Sequence, residues 1–122
     1  TGTQNTAIGF QALFANTTGS FNTALGYDAG RFMVSSFRMT AIGNEALRNN
    51  TGSDNTAVGA EALSANTTAA NNTAVGSGAL FTVTTGGNNT AVGHNAMRNT
   101  TGFQSTAVGS AVLNSKFHER FL

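Results

Sequence analysis

The stretch Asn55-Thr56-Ala57-Val58-Gly59 returns seventeen residues later as Asn72-Thr73-Ala74-Val75-Gly76 and again as Asn89-Thr90-Ala91-Val92-Gly93. Working outward, the Thr-Ala-aliphatic-Gly core recurs with its Thr at Thr6, Thr23, Thr40, Thr56, Thr73, Thr90 and Thr106, at spacings of 17, 17, 16, 17, 17 and 16. Such a period decides the architecture before any helix or strand is assigned, because each unit can bury its apolar side only against its neighbours. Counting that Thr as position 1, position 2 is Ala and position 4 is Gly in every copy. Position 3 is Ile8, Leu25, Ile42, Val58, Val75, Val92 and Val108. Position 7 is Ala until Val112 in the last copy, and position 8 is Leu except at Gly30 and Met97. Each unit closes on Asn-Thr-Thr-Gly or a relative of it, residues that tolerate positive φ and bond nearby backbone, and so reads as a turn.

Fully extended, seventeen residues span roughly 56 Å at about 3.3 Å each, enough for two short strands and two turns and tight for a three-sided coil. The spacing predicts an all-β fold: a flat, parallel β-roll or β-solenoid of about seven 16–17-residue rungs, a rod about 34 Å long at about 4.8 Å per rung. The array occupies residues 1–113, and Thr1 to Gln4 read as the tail of a preceding unit of a longer array. The two shorter units each lose a residue just before a Thr-Gly turn, where a loop absorbs the change and leaves the strand columns in register. A rival reading makes the Ala-Leu step a single helical turn after a strand, since both are good helix formers.

Composition removes several function classes. There is no Cys, which excludes disulfides, thiol chemistry and Cys-bearing zinc sites. The net charge is +1 with the basic residues scattered singly, so the stripe that phosphate neutralisation requires is missing and nucleic acid is not an expected partner. No apolar run approaches the roughly 18 to 20 residues that cross a bilayer, and no membrane contact by this segment is expected.

Successive side chains on a strand point to opposite faces, so Ala at position 2 and the aliphatic at position 3 cannot enter the same interior. The small Ala column suits a narrow gap between two layers. The column Ile8, Leu25, Ile42, Val58, Val75, Val92 and Val108 is left needing a second surface. Each rung offers about four apolar side chains, two of them Ala, and so small a core rarely stabilises a lone short domain. A further copy satisfies the need in closed symmetry, and the expected assembly is a homotrimer about the rod axis. The residue before each Thr is usually Asn, which predicts an amide ladder at a turn. Asp28 with Arg31, and Glu45 with Arg48, are read as surface ion pairs.

The Thr-Ala-Val-Gly rungs with their Asn turns resemble the short head repeats of trimeric autotransporter adhesins, with their Asn-Ser-x-Ala-Ile-Gly units, and similar repeats in phage and bacterial fibre proteins. The likeness covers Asn5 to about Leu113. It implies a left-handed parallel β-roll trimer, extracellular, on a cell surface or a virion fibre. The unit here is longer, with an Ala-Leu step and an Asn-Thr-Thr-Gly turn, and no catalytic residue carries over.

Candidate chemistry is sparse. His94 and His118 and five isolated acids form no nucleophile-and-base set, and no catalytic, metal or cofactor residue is assigned, so the expectation is a non-enzyme without cofactor. Gly76 and Gly78 lack the context of a dinucleotide site and read as turn glycines. Asn16, Asn66 and Asn99 fit the glycosylation pattern but are explained by turns. Single Thr residues at position 1, without Thr-x-Thr pairs, make ice binding a minor alternative. The second unit is the irregular one. Tyr27, Arg31, Phe32 and Phe37 replace small or polar residues there and form a candidate patch for a host receptor, matrix protein or glycan. The competing reading is a bulged rung whose aromatics fill the core between chains. Residues 114–122 break the repeat and read as a cap or the start of a neck. The expected function is a non-catalytic segment of a trimeric fibre mediating attachment to a cell or matrix surface. The alternative is a phage tail-fibre segment recognising a host.

Overall fold

A computed structural model of the protein describes residues 1–114. The expected cap or neck therefore lies, Asn114 apart, outside the described residues. Every Thr-Ala-aliphatic triplet is a three-residue strand: β1 (Thr6–Ile8), β2 (Thr23–Leu25), β3 (Thr40–Ile42), β4 (Thr56–Val58), β5 (Thr73–Val75), β7 (Thr90–Val92) and β9 (Thr106–Val108). They form one parallel sheet in chain order, with Thr on Thr, Ala on Ala and aliphatic on aliphatic at every step. The chain is thus a β-solenoid of about six turns. Both 16-residue units keep this register, pairing Thr40 with Thr56 and Thr90 with Thr106.

The opposite wall differs from the second strand layer that the spacing predicts. Only β6 (Thr82–Val83) and β8 (Asn99–Thr100) pair there, and most rungs pass through consecutive tight turns. In the first rung the Ala12 N–H donates to the Gly9 carbonyl and the Phe14 N–H to the Gln11 carbonyl, each at 3.3 Å. The third residues of these turns, Gln11 and Leu13, have φ of 55° and 52°. A positive φ at that place defines a type II turn. The intervening N–H groups reach along the rod, as Leu13 does to Ala29 and Ala15 to Arg31, so the backbone polar groups are satisfied without a helix. The helical-turn reading fails for this reason; no helix occurs among the described residues.

Leucine is an unusual occupant of the left-handed region, yet Leu47, Leu63 and Leu80 sit there at φ of 51°, 52° and 49° and are fully buried. Burying a leucine stabilises by about 1.5–3 kcal/mol, which offsets the roughly 1–2 kcal/mol that a left-handed residue costs. The interior is otherwise narrow. Its floor is the Ala column of the strands, closed from the far wall by Ala29, Ala46, Ala62, Ala79 and Ala96 together with the leucines.

Asn22, Asn55, Asn72 and Asn89, each just before a strand, are buried, and along this column they tie rungs together by amide-to-backbone bonds. Asn55 Oδ1 accepts the Asn72 N–H at 2.9 Å while its Nδ2 donates to the Ala69 carbonyl at 2.8 Å. Asn72 repeats the pattern toward Asn89 and Gly86. Where Met39 interrupts the column, its sulfur accepts the Asn55 N–H at 3.4 Å.

Glycine at position 4 is required by close approach. A Cβ on Gly59 would lie 2.6 Å from the Gly76 carbonyl carbon, and φ there is +134°. Stacked rungs touch backbone to backbone at this corner, which no side chain permits.

Candidate functional site

The outward side of the sheet carries the aliphatic column. Its members alternate with the buried Ala column, so the pleat that hides one exposes the other. Ile8 is 60% exposed, Val75 37% and Val108 70%, while Ile42 and Val58 are half-buried by their neighbours. All seven candidate interface residues therefore lie on one face, and none belongs to the interior cluster. Positions 1 to 5 contain no charged residue in any rung, so the face is uncharged along its whole length.

The four candidate receptor residues do not share one surface cluster. Tyr27 stands at the border of the uncharged face and stacks on Phe10, with ring centroids 5.5 Å apart and planes 12° from parallel. Arg31 and Phe32 lie across the coil, on the turn wall. The Arg31 guanidinium sits 4.8 Å from the Phe32 ring centre and 6.0 Å from that of Phe14, and Arg48 from the next rung covers Phe32 at 5.4 Å. Phe37 is exposed further along the same rung, where its N–H donates to Ser53 Oγ.

Asp28 organises the turn-wall group. Its side chain is 2% exposed, and Oδ2 takes both the Arg31 guanidinium at 3.1 Å and Arg48 Nε at 3.4 Å. The expected Asp28–Arg31 pair thus forms, buried on the acid's side. Arg48 turns to the preceding rung instead of to Glu45, because the carboxylate of Asp28 and the face of Phe32 lie together there. A buried carboxylate without cations would be strongly destabilising, so this pairing is a condition of the rung's closing. Arg98 repeats the stacking on Phe81 at 4.6 Å, hydrogen-bonded to Asn95 and with no acid paired to it among the described residues.

The second unit is not bulged; β2 keeps register with β1 and β3. The volume lost at Gly30, where other rungs have Leu, is filled by Met33, whose Sδ would be 3.0 Å from a Cβ placed on Gly30. Its aromatics are on the surface and outside the coil's interior.

A third ion pair was not legible in the repeat. Arg38 and Asp54, each two residues before a strand Thr, stack in adjacent rungs and join bidentately at 2.5 and 2.8 Å. The Arg38 hydrogen bonds hold the Asp54 carboxyl below its ordinary range, and the same contact raises the guanidinium. His94 is exposed at the face border. Among the described residues no three His, Asp or Glu gather as a metal site would require, and no helix is long and apolar enough to cross a membrane. The Thr17, Thr51 and Thr67 hydroxyls of the turn wall donate to carbonyls of the next rung, which ties them to the coil's own backbone. Against protein-family models, characterised proteins and solved structures, the chain matches none.

Proposed function

We propose that this chain is a non-catalytic structural and adhesive segment of a surface-exposed trimeric fibre, serving as spacer or head in attachment to a cell or matrix surface. The observation that carries the reading is the uncharged face with its seven-rung column of outward Ile, Leu and Val. Interface cores are depleted of charge, and exposed apolar strips of this length mark association surfaces. Three copies sharing that face would each cover what the others expose, and closed cyclic symmetry would leave no strip open. The turn walls would then face outward in triplicate. Phe14, Phe32, Arg31 and Arg48 would supply the aromatic and guanidinium contacts that dominate protein recognition, with weak contacts summed by effective concentration.

Sedimentation equilibrium tests it directly. The expected mass is three chains, and the variant Val58→Ser/Val75→Ser/Val92→Ser should lose the three-chain species. A monodisperse, stable single chain in the unaltered protein would end the reading. For attachment, Phe14→Ala, at a ring 67% exposed on the turn wall, should weaken adhesion of the fibre to its target cells without changing the melting temperature of the oligomer.

A further inference from the structure

The uncharged face is not uniform along its length. In the second rung both of its borders are aromatic, and in the first rung one is, with Gln4 on the other side. Phe21, two residues before Thr23, stands exposed on one side, and the stacked pair Phe10 and Tyr27, two residues after the aliphatics, stands on the other, with Ile8 and Leu25 between them. Toward the far end both borders turn small or polar, with Asn71 and Asn88 on one side and Ser77 and Ser110 on the other. The aliphatics shrink in the same direction, from Ile8, Leu25 and Ile42 to Val from Val58 onward.

We infer that the band Phe21, Leu25, Tyr27, Ile8 and Phe10 is a self-recognition collar whose partner is a second copy of this chain, held parallel and level, rung against equal rung. The inference rests on the assembly proposed above and adds its alignment. Geometry makes the two borders complementary. Rods facing each other and related by an axis along their length bring the Phe21 border of one copy to the Tyr27 border of the next at the same height. Aromatic then meets aromatic in rung 2, while Asn71 meets Ser77 in rung 5. Reversing one rod instead brings like border to like border with rung 2 against rung 6. Phe21 would face Asn88 and Tyr27 would face His94, burying aromatic surface against amide and imidazole that lose water without gaining partners. A slip by one rung would set Phe21 against Asn44 in one direction and Tyr27 against Arg38 in the other, and closed symmetry about the rod axis, which holds copies level, excludes both. The collar at one end is therefore the element that distinguishes orientation along an otherwise repetitive face.

Site-directed crosslinking reads this alignment, since the chain has no cysteine of its own. In Asn71→Cys/Ser77→Cys the aromatics are intact. The two thiols lie six residues apart, at most roughly 20 Å of backbone, and a crosslink closed within one chain would leave a single-chain mass. Covalent species of two and three chain masses are expected. Gln4→Cys/Gln104→Cys reports the reversed arrangement; its thiols are six rungs apart, about 29 Å along one rod, and it should stay a single chain. Adding Phe10→Ser/Phe21→Ser/Tyr27→Ser to the level reporter should cut its crosslinked yield at least about fivefold, with an unchanged circular dichroism spectrum because these side chains are exposed. An unaltered yield in that background overturns the collar. A protein of three-chain mass that crosslinks through residues 4 and 104, or not through 71 and 77, overturns the collar and leaves the assembly standing. A single-chain mass overturns both.

Discussion

The strand wall and the turn wall of this coil obey different rules, though both repeat with the same period. On the strand wall the Gly at position 4 and the Ala at position 2 recur in every copy, and the backbones of successive rungs touch at that corner. On the turn wall the equivalent buried place holds Leu47, Gly30 or Met97, and the rung closes in each case. Where backbone meets backbone there is no volume to trade. Where side chains fill the space, one position can lend volume to another, as Met33 does for Gly30.

The same substitution made on both walls breaks or confirms this contrast. Gly59→Ala puts a Cβ against Gly76 backbone at φ +134°, where neither strain nor clash can relax. It should cost at least about 3 kcal/mol in urea unfolding. Gly30→Ala meets only the flexible ends of Met33 and Leu13, at φ +59°, a conformation that Leu47 already adopts one rung away. Its cost should stay within about 1 kcal/mol. Equal losses at the two glycines would mean that the walls are not distinct.

A second pair compares the two sides of one strand. Ala74 is fully buried and Val75 is its exposed neighbour. Ala74→Leu overfills the gap between the walls and should cost about 1–3 kcal/mol. Val75→Leu should leave the chain within about 0.5 kcal/mol of its starting stability. Should Val75→Leu prove the costlier change, the assignment of interior and exterior would be reversed.

That contrast also explains what could be read from the sequence. The strand wall was legible because alternation is a local property: Thr, Ala and aliphatic in a row fix which side chain faces inward, and the recurrence fixes the register. The outward column followed from the same step. The turn wall was misread in detail because the length of the unit leaves room for a second strand and does not tell a strand from consecutive type II turns; the rival helical turn rested on Ala-Leu propensity, which yields when packing decides. A signal was present in the exceptions. Gly30 at position 8 and Gly78, Asp28 and Asn95 at position 6 are residues that tolerate a positive φ, and they stand where every rung has one. The receptor patch was collected by nearness in sequence, but a coil this short carries Tyr27 and Phe32 to opposite walls within half a turn. Arg48 could not be assigned to Asp28 from the repeat, since its partner lies on another rung and depends on the Phe32 ring between them.

Trading volume on the turn wall has its own test. Gly30→Leu alone overpacks against Met33, and Met33→Asn alone leaves a void beside Gly30. Together they restore the Leu and Asn that the third rung has at Leu47 and Asn50. The double variant should be more stable than the sum of the singles predicts, by a coupling of at least about 1 kcal/mol. Additive losses would show that Met33 does not occupy the Gly30 space.

The smallest effect belongs to the Arg38–Asp54 pair at the strand-wall border. Arg38 lowers the folded-state pKa of the Asp54 carboxyl, so the pair contributes stability above the unfolded carboxylate value of about 3.9 and loses it as pH falls through the lower folded value. The guanidinium, raised by the same contact, stays charged throughout. Asp54→Asn should therefore melt with the unaltered protein in strong acid and slightly below it at neutral pH. Because both groups are exposed, the gap should close in 1 M salt, where charges are screened within about 3 Å. A difference that persisted in high salt and strong acid would show that Asp54 acts through packing of its rung and not through its charge. The border would then share the strand wall's intolerance of change, and the division between the two walls would have to be drawn further out.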